Sequence, residues 1–97
     1  MMNKLILGSE YMADPIFCPD PDGMGHISVD DLPLSPQLRN EIRQWDAVFQ
    51  NTFNADYPPD SKFSSDEAER HHIERGRAIA LLLQQELGDN YEIVYYP

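Results

Sequence analysis

Ser64-Ser65-Asp66-Glu67-Ala68-Glu69-Arg70-His71-His72-Ile73-Glu74-Arg75-Gly76-Arg77-Ala78-Ile79-Ala80-Leu81-Leu82-Leu83-Gln84-Gln85-Glu86-Leu87-Gly88 carries start, face and stop signals of one long helix. Ser64 with Glu67 three places later has the capping-box spacing, in which serine and glutamate satisfy each other's backbone N–H groups. Ile73, Gly76, Ala80, Leu83 and Leu87 fall on one stripe, widened by Ile79 and Leu82. Gly88 stands where a terminating residue with positive φ is wanted. On the outer face Asp66, Arg70 and Glu74 form a four-spaced ladder worth a few tenths of a kcal/mol per pair. Gly76 costs a helix about 1 kcal/mol relative to alanine, so it predicts a close approach by a neighbouring helix, most simply through Trp45.

Working outward, a second helix is announced by Ser35-Pro36, a capping serine followed by proline at a position where the missing N–H costs nothing. Leu38, Ile42, Trp45, Phe49 and Thr52 then repeat at spacings of four and three and give this helix one packing face. The loop from Asn54 to Phe63, with Pro58-Pro59, separates the two. Asn3 to Leu7 reads as a short strand, and Tyr91-Glu92-Ile93-Val94-Tyr95-Tyr96 as another that Pro97 ends. Between Glu10 and Leu34 the prolines and glycines exclude a long helix, while Ile16-Phe17-Cys18 and His26-Ile27-Ser28-Val29 can pair as a hairpin at a sheet edge. The order strand, hairpin, helix, helix, strand predicts an α+β fold in which two packed helices cover one face of a small sheet.

With 97 residues the chain supports one core, so residues 1–97 are read as a single domain. The start has no signal-peptide core or membrane span, and the lone Cys18 permits no internal disulfide, so a cytoplasmic location is expected. Seventeen acids against seven lysines and arginines leave a charge of −10, a field that repels phosphates and anionic lipid. Binding of nucleic acid or of membrane is therefore not expected.

Three chemistries can be weighed. Asp20 to Asp31 follows the spacing of a calcium loop, with acids at places one and three, Gly25 at place six and Asp31 at place twelve. Met24 replaces an oxygen ligand, Asp31 is shorter than the usual closing glutamate, and the flanking prolines forbid the incoming and outgoing helices. Adjacent His71 and His72 point about 100° apart on a helix and cannot share a zinc ion; both are expected at the surface or half-buried. Cys18 has no basic neighbour or helix N-terminus to activate it, and no phosphate loop or nucleophile elbow occurs. No metal, cofactor or reaction is assigned, and the expected occupation is binding, not catalysis.

Leu32-Pro33-Leu34-Ser35, then Leu38, Trp45 and Phe49, then Gly76-Arg77-Ala78-Ile79-Ala80 with Leu83, and Glu86-Leu87-Gly88 with Tyr91, Val94 and Tyr95 form a combination that resembles small acidic bacterial proteins. Some of these are immunity proteins of contact-dependent growth inhibition and related polymorphic toxins. The resemblance spans roughly residues 32–96, with Arg75 standing where the pattern has glutamate. It implies a stoichiometric inhibitor of a cognate toxin domain, often a nuclease, whose phosphate-binding surface is basic and suits an acidic partner. Contacts are expected on the irregular segments, at Asp20, Asp22, Asp30, Asp31, Asp56, Tyr57 and Asp60. Tyr57, Tyr95 and Tyr96 offer an aromatic surface as a further possibility, and a calcium-binding or other regulatory module built on the Asp20–Asp31 loop is the alternative function.

Overall fold

Ser35 begins the first helix as expected: its Oγ accepts from the Leu38 N–H at 3.2 Å, and Pro36 occupies the first turn. In the computed structural model, which describes residues 3–19 and 25–97, this helix is α1 (Pro36–Gln50). It buries Leu38, Ile42 and Trp45; Phe49 is half-buried, and Thr52 lies beyond the helix end. The second helix, α2 (Asp66–Leu87), starts one residue later than the capping-box reading places it. Ser65 is the cap, accepting from the Ala68 N–H at 3.0 Å. Residue three of this cap is therefore Ala68 and not Glu67, so the box is open on one side and Glu67 simply joins the acids of the first turn, where the helix dipole favours them.

The buried face of α2 is His72, Gly76, Ile79, Leu83 and Leu87, which rotates the stripe relative to the sequence reading. Leu82, expected on the face, is 41% exposed, and Ile73 and Ala80 flank the stripe. The helix stops at Gly88, whose φ of 70° is accessible to glycine at little cost.

The strands are β1 (Asn3–Gly8), β2 (Ile16–Cys18), β3 (Gly25–Ile27) and β4 (Tyr91–Tyr96), in the order β3-β2-β1-β4. β2 and β3 form the predicted antiparallel hairpin, with β3 at one edge; its strand ends at Ile27, and Val29, read as part of it, begins a 3-10 turn instead. The first and last strands pair in parallel from Asn3↔Tyr91 to Gly8↔Tyr96, so the whole helical pair is the crossover between them. Leu5, Leu7 and Ile16 point to the helices and join Trp45, Ile42, Ile79 and Leu83 in one core, with Val29, Leu32 and Leu34 closing it beneath α1. The outer edge of β4 is partly occupied by a side chain: Gln84 Oε1 accepts from the Ile93 N–H at 3.0 Å and its Nε2 donates to the Tyr91 carbonyl at 2.7 Å. The amide thus occupies hydrogen-bonding groups that a further strand would need.

Trp45 and His72 join the helices. Trp45 is 1% exposed and its Nε1 donates to the His72 carbonyl at 2.8 Å, while His72 Nε2 donates to the Trp45 carbonyl at 3.0 Å. The two rings stack with centroids 4.6 Å apart and planes 4° from parallel. His72 is thus fully buried, not at the surface or half-buried as expected from sequence, and desolvation holds its imidazole below the ordinary histidine value, outweighing the hydrogen bond to the Trp45 carbonyl. Gly76 makes room for this packing. A Cβ there would lie 2.6 Å from Trp45 Cζ2 and 2.7 Å from Tyr95 Cζ, and it would also strike the Tyr95 hydroxyl. That hydroxyl donates to the Ile73 carbonyl at 2.9 Å, so Tyr95 is an interior clamp and not part of an aromatic surface. At the far end of the helices Glu86 receives the Ser35 N–H at 2.6 Å and the Ser35 hydroxyl at 2.8 Å, tying the C-terminal turn of α2 to the cap of α1. Arg75 pairs with Glu41 across the helices at 3.3 Å, in a half-exposed position worth little in water.

Three outcomes follow. Gly76→Ala will destabilise by roughly 1–3 kcal/mol through overpacking, although alanine is the better helix former by about 1 kcal/mol; urea unfolding will show the sign. Trp45→Ala will cost roughly 3–5 kcal/mol, read as a large fall in melting temperature. Because the folded state disfavours the charged form of His72, the unfolded chain takes up its proton first, and stability falls as pH drops below about 6.5. Denaturant midpoints measured at about pH 7.5 and about pH 5.5 will fall further for the parent than for His72→Gln, which lacks that titration.

Candidate partner-binding site

Of the sequence-predicted contacts, Asp20 and Asp22 lie outside the described residues. Asp30 and Asp31 sit on a short 3-10 turn, Val29–Asp31, whose first N–H groups bond to Ser28. Asp31 is exposed and unpaired among the described residues, whereas the Asp30 carboxylate is held by Arg43 of α1. Asp56, Tyr57 and Asp60 are exposed on the connection between the helices. There the Asn54 side chain accepts from the N–H groups of Asp56 at 3.0 Å and Tyr57 at 3.1 Å, which orders the turn without using the acids. The two segments are separate: one lies beside the middle of α1, the other beyond its C-terminal end, and no described hydrogen bond or ion pair joins them.

The described part of the Asp20–Asp31 segment is a strand and a 3-10 turn. It is preceded by β2 and followed by extended chain at Leu32, in place of the two helices that frame a calcium loop. Among the described residues no group of three or more His, Cys, Asp and Glu side chains is placed to hold a metal ion, and no helix is long and apolar enough to cross a membrane.

A different surface emerges on the side of the sheet away from the helices. Strand alternation that sends Leu5, Leu7 and Ile16 inward sends Ile6 and Phe17 outward. The register then aligns Val94, Ile6, Phe17 and His26 in one row across all four strands, with Tyr96 beside Gly8 in the next. A sheet face open to water normally carries polar side chains here. This row is apolar through its centre, and Phe17 meets His26 edge to face at 5.2 Å.

Beside the row lies a groove of about 500 Å³ lined by Ile6, Phe17 and Tyr96, with Glu10, Asp14 and His26 at its margin. A second hollow of about 480 Å³ shares Asp14 and His26 and adds Asp46 and Gln50. Neither has a lysine or arginine in its lining. Burial pushes the Asp46 carboxyl above its usual range; the hydrogen bond from Gln50 opposes this, and the charge of Asp14 adds to it.

The loop bearing the acids is held firmly. The Gly8 N–H closes it on the Pro15 carbonyl at 2.9 Å, and Tyr11 stacks on Phe49 at 4.3 Å with its hydroxyl on Thr52. The Gln50 side chain bonds to the loop backbone at Glu10 and Met12, 2.9 and 3.0 Å away. Met12 has a φ of 60°, which an L-residue adopts at a cost of order 1 kcal/mol, and is 80% exposed. His26 Nδ1 donates to the Asp14 carbonyl at 2.9 Å and its Nε2 lies 3.3 Å from Glu10. Sequence reading missed this surface because Ile6 and Phe17 look like ordinary strand residues until the pairing of β1 with β2 and β4 shows them to be neighbours.

No curated protein matches the chain at a significant level. Residues 3–97, nearly its full length, match the family described as Serratia CdiI immunity protein-like. That match covers β1 to β4 and both helices, and the chain belongs to the Serratia CdiI immunity protein-like family.

Proposed function

We propose that this protein is the stoichiometric inhibitor of a cognate toxin domain, a nuclease, and that it protects the producing bacterial cell from within the cytoplasm by binding and not by catalysis. Family membership carries this reading, and the charge of −10 supports the choice of target. A nuclease gathers cationic groups to hold phosphates, so an acidic protein is drawn to that surface before the two touch. Asp31, Asp56, Tyr57 and Asp60 are exposed on irregular segments suited to the encounter, and Asp20, Asp22 and Asp30 complete the acidic set.

Co-expression with its cognate toxin domain will restore growth, and the two proteins will purify as a one-to-one complex. Raising salt from roughly 0.05 M to roughly 0.5 M shortens the screening length from about 14 Å to about 4 Å and will slow association markedly. Replacing Asp20, Asp22, Asp30 and Asp31 by asparagine will slow association far more than it speeds dissociation. An association rate indifferent to salt, with full protection by the fourfold variant, would exclude electrostatic attraction as the basis of recognition.

A further inference from the structure

We propose that the open face of the sheet anchors the toxin by taking one of its arginine side chains into the groove between Ile6, Phe17 and Tyr96, against Glu10 and Asp14. The inference rests on the function proposed above and names the surface and the chemistry of contact. Three observations converge on it. The outward row Val94, Ile6 and Phe17 is contiguous across three strands, where isolated apolar residues would need no explanation. The groove beside it pairs apolar Ile6, Phe17 and Tyr96 with the carboxylates of Glu10 and Asp14, and its lining has no lysine or arginine; its one basic side chain is His26, whose Nε2 lies 3.3 Å from Glu10. The acids stand on a loop already ordered by Tyr11, Gln50 and the Gly8–Pro15 hydrogen bond, so little conformational entropy remains to be lost on binding.

Arginine fits this combination better than lysine. Its methylene stem covers apolar surface, its flat guanidinium stacks on aromatic faces such as Phe17 and Tyr96, and its fork of donors can reach two carboxylates. Lysine offers a compact, strongly hydrated charge that leaves the aromatic floor unused. The contact also divides labour with the acidic loops. Exposed Asp31, Asp56 and Asp60 act at long range and set the association rate, whereas an arginine shielded in the groove sets the dissociation rate.

The test uses Glu10→Gln combined with Asp14→Asn, and separately Tyr96→Ser at a side chain that is 61% exposed, each checked for a parent-like melting temperature. Binding kinetics to the catalytically inactivated toxin domain will show dissociation accelerated about tenfold or more, with association changed less than about threefold. Asp56→Asn with Asp60→Asn will do the reverse. A double variant at Glu10 and Asp14 that dissociates within about twofold of the parent overturns the proposal. In a second measurement ethylguanidinium is titrated into the free protein and followed by NMR. Resonances of Phe17, His26 and Tyr96 will shift, n-butylammonium will shift them less, and the Glu10, Asp14 double variant will lose the response. Resonances that do not move, or that move equally with neutral acetamide, overturn the assignment of a cationic occupant. Failure of the parent itself to bind the toxin domain would sink the proposed function, and the titration alone would then decide whether the groove accepts a guanidinium group.

Discussion

Gly76 is the point at which three elements touch. With no side chain there, Trp45 of α1 and Tyr95 of β4 both lie against the backbone of α2, and each places its polar tip on a carbonyl of the preceding turn, Trp45 on His72 and Tyr95 on Ile73. Large rings can be buried this way without leaving a donor unsatisfied, which would cost about 1–3 kcal/mol each. The helix gives up roughly 1 kcal/mol of propensity at glycine and gains two aromatic contacts in exchange. His72, stacked on Trp45 and bonded to its carbonyl, makes the link reciprocal, and the Ser35–Glu86 pair holds the opposite ends of the same two helices.

Fixing α2 against β4 also decides what the other side of the sheet looks like. Tyr95, Ile93 and Tyr91 face the helices, so Val94 and Tyr96 face away, and parallel pairing sets them beside Ile6 and Gly8. The hairpin adds Phe17 and His26 to the same side. An apolar row on an open face sacrifices solubility locally, and the surplus of carboxylates over the rest of the chain offsets that sacrifice. The edge beyond β4 is treated differently: the Gln84 amide occupies hydrogen-bonding groups that would invite another strand, leaving the face and not the edge as the hospitable surface.

Exposed charge and partly apolar hollows occupy different parts of the surface. The acids on the Val29–Asp31 turn and on the connection between the helices stand in solvent, where their fields extend about a Debye length and their pairwise contacts are weak. Glu10, Asp14 and Asp46 are instead gathered around hollows with partly apolar walls, where burial already makes the Asp46 carboxyl harder to ionise. Asp46 lies in the second hollow and Glu10 in the groove, and Asp14 lines both.

Periodicity and punctuation in the sequence were enough to determine the element order, both helices, the hairpin, the two terminal strands and the need for a close approach at Gly76, because these depend on neighbours within a few residues. The same local information placed the α2 cap one residue early, since Ser64 with Glu67 carries the stronger local signal and only the folded backbone selects Ser65. It also put Leu82 on the packed face and His72 at the surface or half-buried, since a stripe on a helix has a width but no fixed centre until a partner, here Trp45, is set against it. Acid-rich irregular segments stood out as candidate contacts by composition alone, whereas the groove could not, because Ile6, Phe17, Asp14 and Tyr96 are separated by up to the length of the chain. Only the parallel pairing of β1 with β4 brings them together, and that pairing is selected by long-range burial against two helices, a property of the assembled core and not of any stretch of residues within it.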